Sequence, residues 1–247
     1  MRIQMLRFAD DIAIIAQGEL NLKRTLESLD DILKSSYKIK IERIKTEVMV
    51  CSKDFENINI KIDDNALKQM PKFKYIGSII TEDRKNKEDL RQRIKEAKVM
   101  FNNKKQLLCS NNFSLEMKKK RIKSCIWSVA VCGSETGTLG KNEERIINAF
   151  ETGYWRRMLK IEWTDRITND EVFQRAKEER LLLKILKNRR HSWIGHTIRL
   201  NEFVVNILEG AILGKNAVGK PGLQYLKEVA RNTAADSYTA MERMACN

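Results

Sequence analysis

The sequence predicts an α+β fold, with short strands and one helix up to about residue 82 and an all-helical remainder. Three observations lead there. The first third carries brief apolar runs with a period of two, punctuated by Asp and Gly. Beyond residue 84 apolar residues recur at helical spacing. The 247-residue chain holds only two prolines, Pro71 and Pro221, and 42% hydrophobic residues, enough to bury a substantial core.

MLRF (5–8) and IAIIA (12–16) read as two strands around Ala9–Asp10–Asp11, a hairpin whose turn is the acid pair, closed off by Gly18. Residues 19–36 place Leu20, Leu22, Leu26, Leu29, Ile32 and Leu33 near helical spacing, which predicts an amphipathic helix. KTEVMVCS (45–52) is rich in β-formers, and INIKI (58–62) alternates. KFKYIGSIIT (72–81) alternates too, with Gly77 suiting a bent or bulged strand. Residues 86–108 set Leu90, Ile94, Ala97, Phe101, Leu107 and Leu108 on one helical side. A helix starting at Ser114, a weak cap without a full capping box, stops at Gly133. Residues 142–161 and 169–200 read as further helices, and a glycine-rich break at 214–222 precedes a last helical stretch towards Cys246. No linker divides the chain, so one compact unit is expected. Trp127, Trp155, Trp163 and Trp193 read as core residues.

The formal net charge is +14, and it is concentrated. Residues 1–50 carry nine Lys/Arg against eight Asp/Glu, whereas residues 84–123 carry fourteen against four. A solvated helix face usually mixes signs, so this excess points to phosphate contacts rather than solubility alone. The longest apolar stretch, CIWSVAVCG (125–133), is too short to span a bilayer. Five cysteines without a CxxC pair suggest a reduced, intracellular compartment, nuclear or cytoplasmic. His191 and His196, the only histidines, have no nearby cysteines and do not read as a zinc site.

Asp10 and Asp11 are the residues with the most distinctive chemistry. Adjacent carboxylates on a rigid hairpin can hold divalent cations, provided that a third carboxylate joins them. An acidic turn on an ordinary hairpin has the same appearance.

RFADD followed by IAIIA resembles the [YF]xDD motif of reverse transcriptases, in the form used by retrotransposons without long terminal repeats. IKTEVMV (44–50) and FKYIGSIIT (73–81) resemble the next two family blocks, the second a hairpin that grips the primer. EDLRQRIKEAKVMFNNKKQLL and SLEMKKKRIKSCIWSVAVCGSETGTL follow the family's thumb, and residues 144–173 and 190–200 its connector. The blocks keep the family's order over about residues 3–200.

The resemblance implies a partial polymerase palm at 1–82, a helical thumb at 83–140 and a helical connector and C-terminal region at 141–247, poorly matched after about 222. It assigns Asp10 and Asp11 as metal-binding acids for Mg²⁺ or Mn²⁺, with Phe8 at the aromatic position. It assigns Lys45 to proton transfer towards the leaving group, and Tyr75 and Gly77 to the primer-grip turn. Arg91, Lys95, Lys98, Lys104, Lys105, Lys118, Lys119, Lys120 and Arg121 fall where the thumb contacts template–primer phosphates. The implied partner is an RNA/DNA template–primer, with an upstream polymerase half or the full retrotransposon protein as another, and no membrane.

The departures are specific. The family's third metal-binding aspartate and its fingers lie upstream of the motif, where this sequence has seven residues before Phe8. The expectation is therefore weak or absent metal binding and no polymerisation by this chain alone. Asp30–Asp31 and Asp63–Asp64 lack the context to substitute. Gly137 stands where the family has a large aromatic residue, and Glu42 where it has asparagine. The alternative is a non-catalytic RNA- or DNA-binding protein built on the thumb.

Overall fold

The computed structural model describes residues 5–52, 56–83, 86–137, 139–200 and 204–206. Arg84 and Lys85 of the basic stretch, the 214–222 break and the expected last helix lie outside the described residues. The fold is α+β. The chain divides into two compact units, Met1–Asp89 and Leu90–Asn247, rather than the single unit expected. No linker composition marks the division because it falls in the first turn of a continuous helix.

The first unit opens with β1 (Met5–Phe8) and β2 (Asp11–Ile14), paired antiparallel from Met5↔Ile14 to Phe8↔Asp11. Helix α1 (Glu19–Ile32) starts after Gly18, whose φ of 85° few other residues adopt. It continues as a π-helical turn, Leu33–Tyr37, that ends at left-handed Lys38. Its apolar stripe is narrower than the sequence suggests. Leu26 is buried and Leu22 packs beside it, but Leu20 and Ile32 are exposed.

The β-rich run at 45–52 contributes only β3 (Glu47–Val48), and INIKI contributes only Lys61–Ile62 as β4. β4 pairs with β5 (Asn65–Ala66) across an Asp63–Asp64 turn, and β3 pairs in parallel with β6 (Lys68–Gln69). Alternation in INIKI nevertheless marks core residues, since Ile60 and Ile62 are buried together with Leu26, Val48 and Leu67. β7 (Lys72–Tyr75) and β8 (Ser78–Thr81) form a hairpin, not one bulged strand. Ile76 (φ 48°) and Gly77 (φ 81°) make its two-residue turn, and positive φ at both places matches the strands' twist.

The second unit is helical around one core. α2 (Lys87–Asn103) buries Leu90, Ile94, Ala97 and Phe101. The expected helix to 108 breaks at Lys104 and resumes as α3 (Lys105–Leu108). α4 (Leu115–Arg121) begins at Ser114, whose Oγ accepts the Met117 N–H at 3.3 Å. It runs through a π-helical segment, Ile122–Trp127, into α5 (Ser128–Val131), and Gly133 (φ 60°) follows. α6 (Lys141–Met158) supplies the largest core share, including Ile147, Phe150, Tyr154 and fully buried Trp155. Tyr154 stacks on Phe101 at 4.8 Å between ring centroids, and Trp127 meets Trp155 edge-on at 6.2 Å. Burial pushes the Tyr154 hydroxyl's pKa up.

The helix expected over 169–200 is two. α7 (Asn169–Ala176), held by a reciprocal Thr168–Glu171 capping box, stops at left-handed Lys177, and α8 (Leu182–Leu200) follows. Glu151 of α6 is fully buried and accepts the N–H groups of Leu181 (3.1 Å) and Leu182 (3.3 Å) at the start of α8. Of the four tryptophans read as core, Trp127 and Trp155 are buried and Trp193 half-buried, but Trp163 is 89% exposed in a 3₁₀ turn.

Candidate nucleic-acid interface

In the first unit, the sequence-predicted residues lie on or beside three separate two-stranded sheets. Register makes Ala9–Asp10 the loop of the β1–β2 hairpin, so Asp11 is already the first strand residue and faces Phe8. Ala9 has φ 51° at the first loop position, where Gly is preferred, and such a backbone costs roughly 1 kcal/mol or more. The strain is spent on a turn that presents both carboxylates, Asp10 and Asp11, to solvent. The hairpin's two faces differ. Ile14 packs on the core, whereas Leu6 (40%) and Phe8 (60%), on the face of Asp11, are exposed.

Lys45 lies exposed in the turn before β3. The segment leading to it is fastened by charge. Arg43 reaches Asp63 at 2.6 Å, and Lys34 bridges Asp63 and Asp30, both at 2.6 Å. The Lys34 hydrogen bond holds the Asp63 carboxyl below the usual carboxylate range, and Asp30 and Asp63 raise the Lys34 ammonium. Tyr75 closes the β7–β8 turn half-buried, with Gly77 exposed at its tip. The strands of the acid hairpin, Lys45's neighbour and the Tyr75 turn belong to different sheets. Among the described residues no group of three or more His, Cys, Asp or Glu is placed to hold a metal ion.

In the second unit the basic residues sort by exposure. Arg91, Lys95 and Lys98 recur at i, i+4 and i+7 on the exposed face of α2, and Lys105 of α3 is exposed beyond them. Lys120 and Arg121 are exposed on α4, and Lys104 is half-buried at the break. No ion pair among the described residues engages Arg91, Lys95, Lys98, Lys104, Lys105 or Lys120. Lys118 and Lys119 depart from the expected phosphate-contacting role, because both are buried. The Lys119 ammonium is spent internally on Glu116 (2.9 Å), the Lys177 carbonyl (3.1 Å) and Glu178 (3.6 Å). A KKKR run on a helix necessarily sends some members inward, and one-letter charge counting does not reveal which.

Arg190 is a charged residue the sequence reading passed over. It is 1% exposed and donates through Nη2 to the Gly137 carbonyl, which ties the turn at Gly137 to α8. Burial and the neighbouring Arg190 and Lys187 charges lower the His191 pKa. Asn102 and Arg157 were also passed over. They line one cavity with Lys105, and the repeating 91–95–98–102–105 spacing was the available signal for Asn102. The four cysteines among the described residues are free thiols. No described helix is long and apolar enough to cross a membrane. Comparison with known proteins returned no matching family model, no matching curated protein and no matching solved structure.

Proposed function

We propose that this chain is the palm-end, thumb and connector portion of a retrotransposon-type RNA-directed DNA polymerase, and that it binds template–primer without polymerising alone. The observation that carries the reading is the exposed Asp10–Asp11 pair on a strained two-residue hairpin turn. Solvated acids at a rigid turn suit divalent-cation chemistry, and the strained Ala9 fits a turn kept for function over stability. The two carboxylates would hold one face of a Mg²⁺ or Mn²⁺ site. Lys45 would serve the leaving group, and the Tyr75–Gly77 turn the primer.

Phosphoryl transfer by two metals needs a further carboxylate to position nucleophile and leaving group together, so a pair of carboxylates alone would not support polymerisation. Primer extension tests the reading, using purified chain, Mn²⁺ or Mg²⁺, deoxynucleotides and a primed RNA template. The expected result is template–primer binding without incorporation. Robust incorporation abolished by Asp10→Asn would contradict the incomplete site.

A second reading, a non-catalytic RNA- or DNA-binding protein, is favoured by the unpaired cationic face of α2. It predicts the same binding but no dependence of anything measurable on Asp10 or Asp11.

A further inference from the structure

We infer that Asn102, Lys105 and Arg157 form a dedicated binding pocket for a backbone phosphate of a nucleic-acid strand. The inference rests on the template–primer-binding reading above and adds to it a site built partly from α6, outside the basic run that suggested phosphate contacts.

The three residues line a cavity of about 410 Å³, a size within the range of roughly 300–1,000 Å³ typical of ligand pockets. Its lining offers an amide, an ammonium and a guanidinium, all able to donate, and among the described residues no carboxylate. That combination selects an anion. A planar guanidinium with a second cation beside it fits the oxygens of a phosphate, which it can grip through two parallel N–H groups.

The adjacent arginines of α6 show that the arrangement is selective. Arg156 is consumed internally, donating to the Ile167 carbonyl at 2.5 Å and to Asn169 Oδ1 at 3.1 Å. Arg157 is exposed and donates to no acceptor among the described residues. Its guanidinium lies over the Phe101 ring, 6.0 Å from the centroid, and Phe101 is fully buried. The last turn of α6 is tied to α3 as well, since Cys109 Sγ donates to the Arg157 carbonyl at 3.4 Å. The guanidinium is thus held in place without being neutralised, which lowers the ordering cost of binding an anion.

The pocket also continues a track. Arg91, Lys95, Lys98 and Asn102 lie within about 40° of one line along α2, a span of about 16 Å at 1.5 Å per residue. A strand following that face meets the pocket at its end. This continuity favours a polymer's phosphate over an isolated small anion.

The test is fluorescence anisotropy with a labelled RNA–DNA hybrid duplex across a salt series, comparing wild type with Arg157→Gln, Lys105→Gln and Lys141→Gln. Lys141 is an exposed cation at the opposite end of α6, about 24 Å from Arg157 along the helix, and controls for lost net charge. Arg157→Gln is expected to bind about tenfold more weakly, with the slope of log K against log salt reduced by about 1. Lys105→Gln, whose exposed side chain makes loss of folding no concern, should move the same way, and Lys141→Gln little. If Arg157→Gln and Lys105→Gln bind like Lys141→Gln while wild type binds, the pocket is wrong and the underlying reading stands. If wild type does not bind at about 50 mM salt, that reading fails and takes the pocket with it.

Discussion

Ala9 and Ile76 both occupy left-handed backbone at the tips of exposed hairpins, where neither residue type is at ease. Ile76 is the more telling, because a β-branched side chain at φ 48° is strained and its side chain is 52% exposed, so packing does not compensate. Ile76→Asn creates the Asn–Gly pair that two-residue hairpins favour. It should stabilise the first unit by about 1 kcal/mol, read from slower amide exchange across β7–β8. Gly77→Ala should cost about 1 kcal/mol from backbone alone, because nothing lies within 4 Å of an added Cβ. The Asp10–Asp11 pair predicts weak Mn²⁺ binding that is lost in Asp10→Asn. Equal Mn²⁺ relaxation enhancement in wild type and variant would count against a metal role.

At the level of elements, Glu151 joins α6 to the start of α8, and its burial makes that joint sensitive to pH. Burial raises its pKa above the usual carboxylate value, with the Leu181 and Leu182 N–H groups opposing and Glu178 reinforcing the shift. The folded state therefore binds the proton more tightly than the unfolded one. Its contribution is most favourable below the unfolded value of about 4.5 and declines as pH rises through the elevated folded value. Relative to Glu151→Gln, wild type should lose stability as pH rises from about 4.5 in urea unfolding followed by tryptophan fluorescence. All four tryptophans lie beyond residue 89, so that signal reports the second unit alone. Trp155→Ala should cost that unit about 3–5 kcal/mol, since the ring is fully buried against Trp127.

These elements also show what a sequence can disclose. Helical periodicity found the buried face of α2, because Leu90, Ile94, Ala97 and Phe101 all point into one core. Ser114 and Gly133 marked their helix ends because capping and left-handed φ are local chemistry. The breaks at Lys104 and Lys177 are silent in the sequence, since neither carries Gly or Pro. The parallel β3–β6 pair was equally illegible, because strands of two residues are defined by their partners rather than by their own pattern. At the candidate site, the acid hairpin could be read directly, but the burial of Lys118 and Lys119 and the Asn102–Lys105–Arg157 pocket depend on three-dimensional assembly.

For the whole molecule, charge and structure divide between the units. The first unit carries the acid pair on a hairpin that pairs only with itself among the described strands and leaves Leu6 and Phe8 uncovered. The second carries an exposed cationic face on α2, with Lys120 and Arg121 on α4, over a single apolar core. On the proposed reading, this cationic face would attract phosphates electrostatically and independently of sequence. The most direct measurement is the salt dependence of binding an RNA–DNA hybrid duplex, with wild type compared with a Lys95→Gln/Lys98→Gln variant. The expected result is that log K falls linearly with log salt at a slope of about −4, and that the double variant flattens it by about 2. Absence of binding at about 50 mM salt, or an identical slope in the double variant, would contradict it.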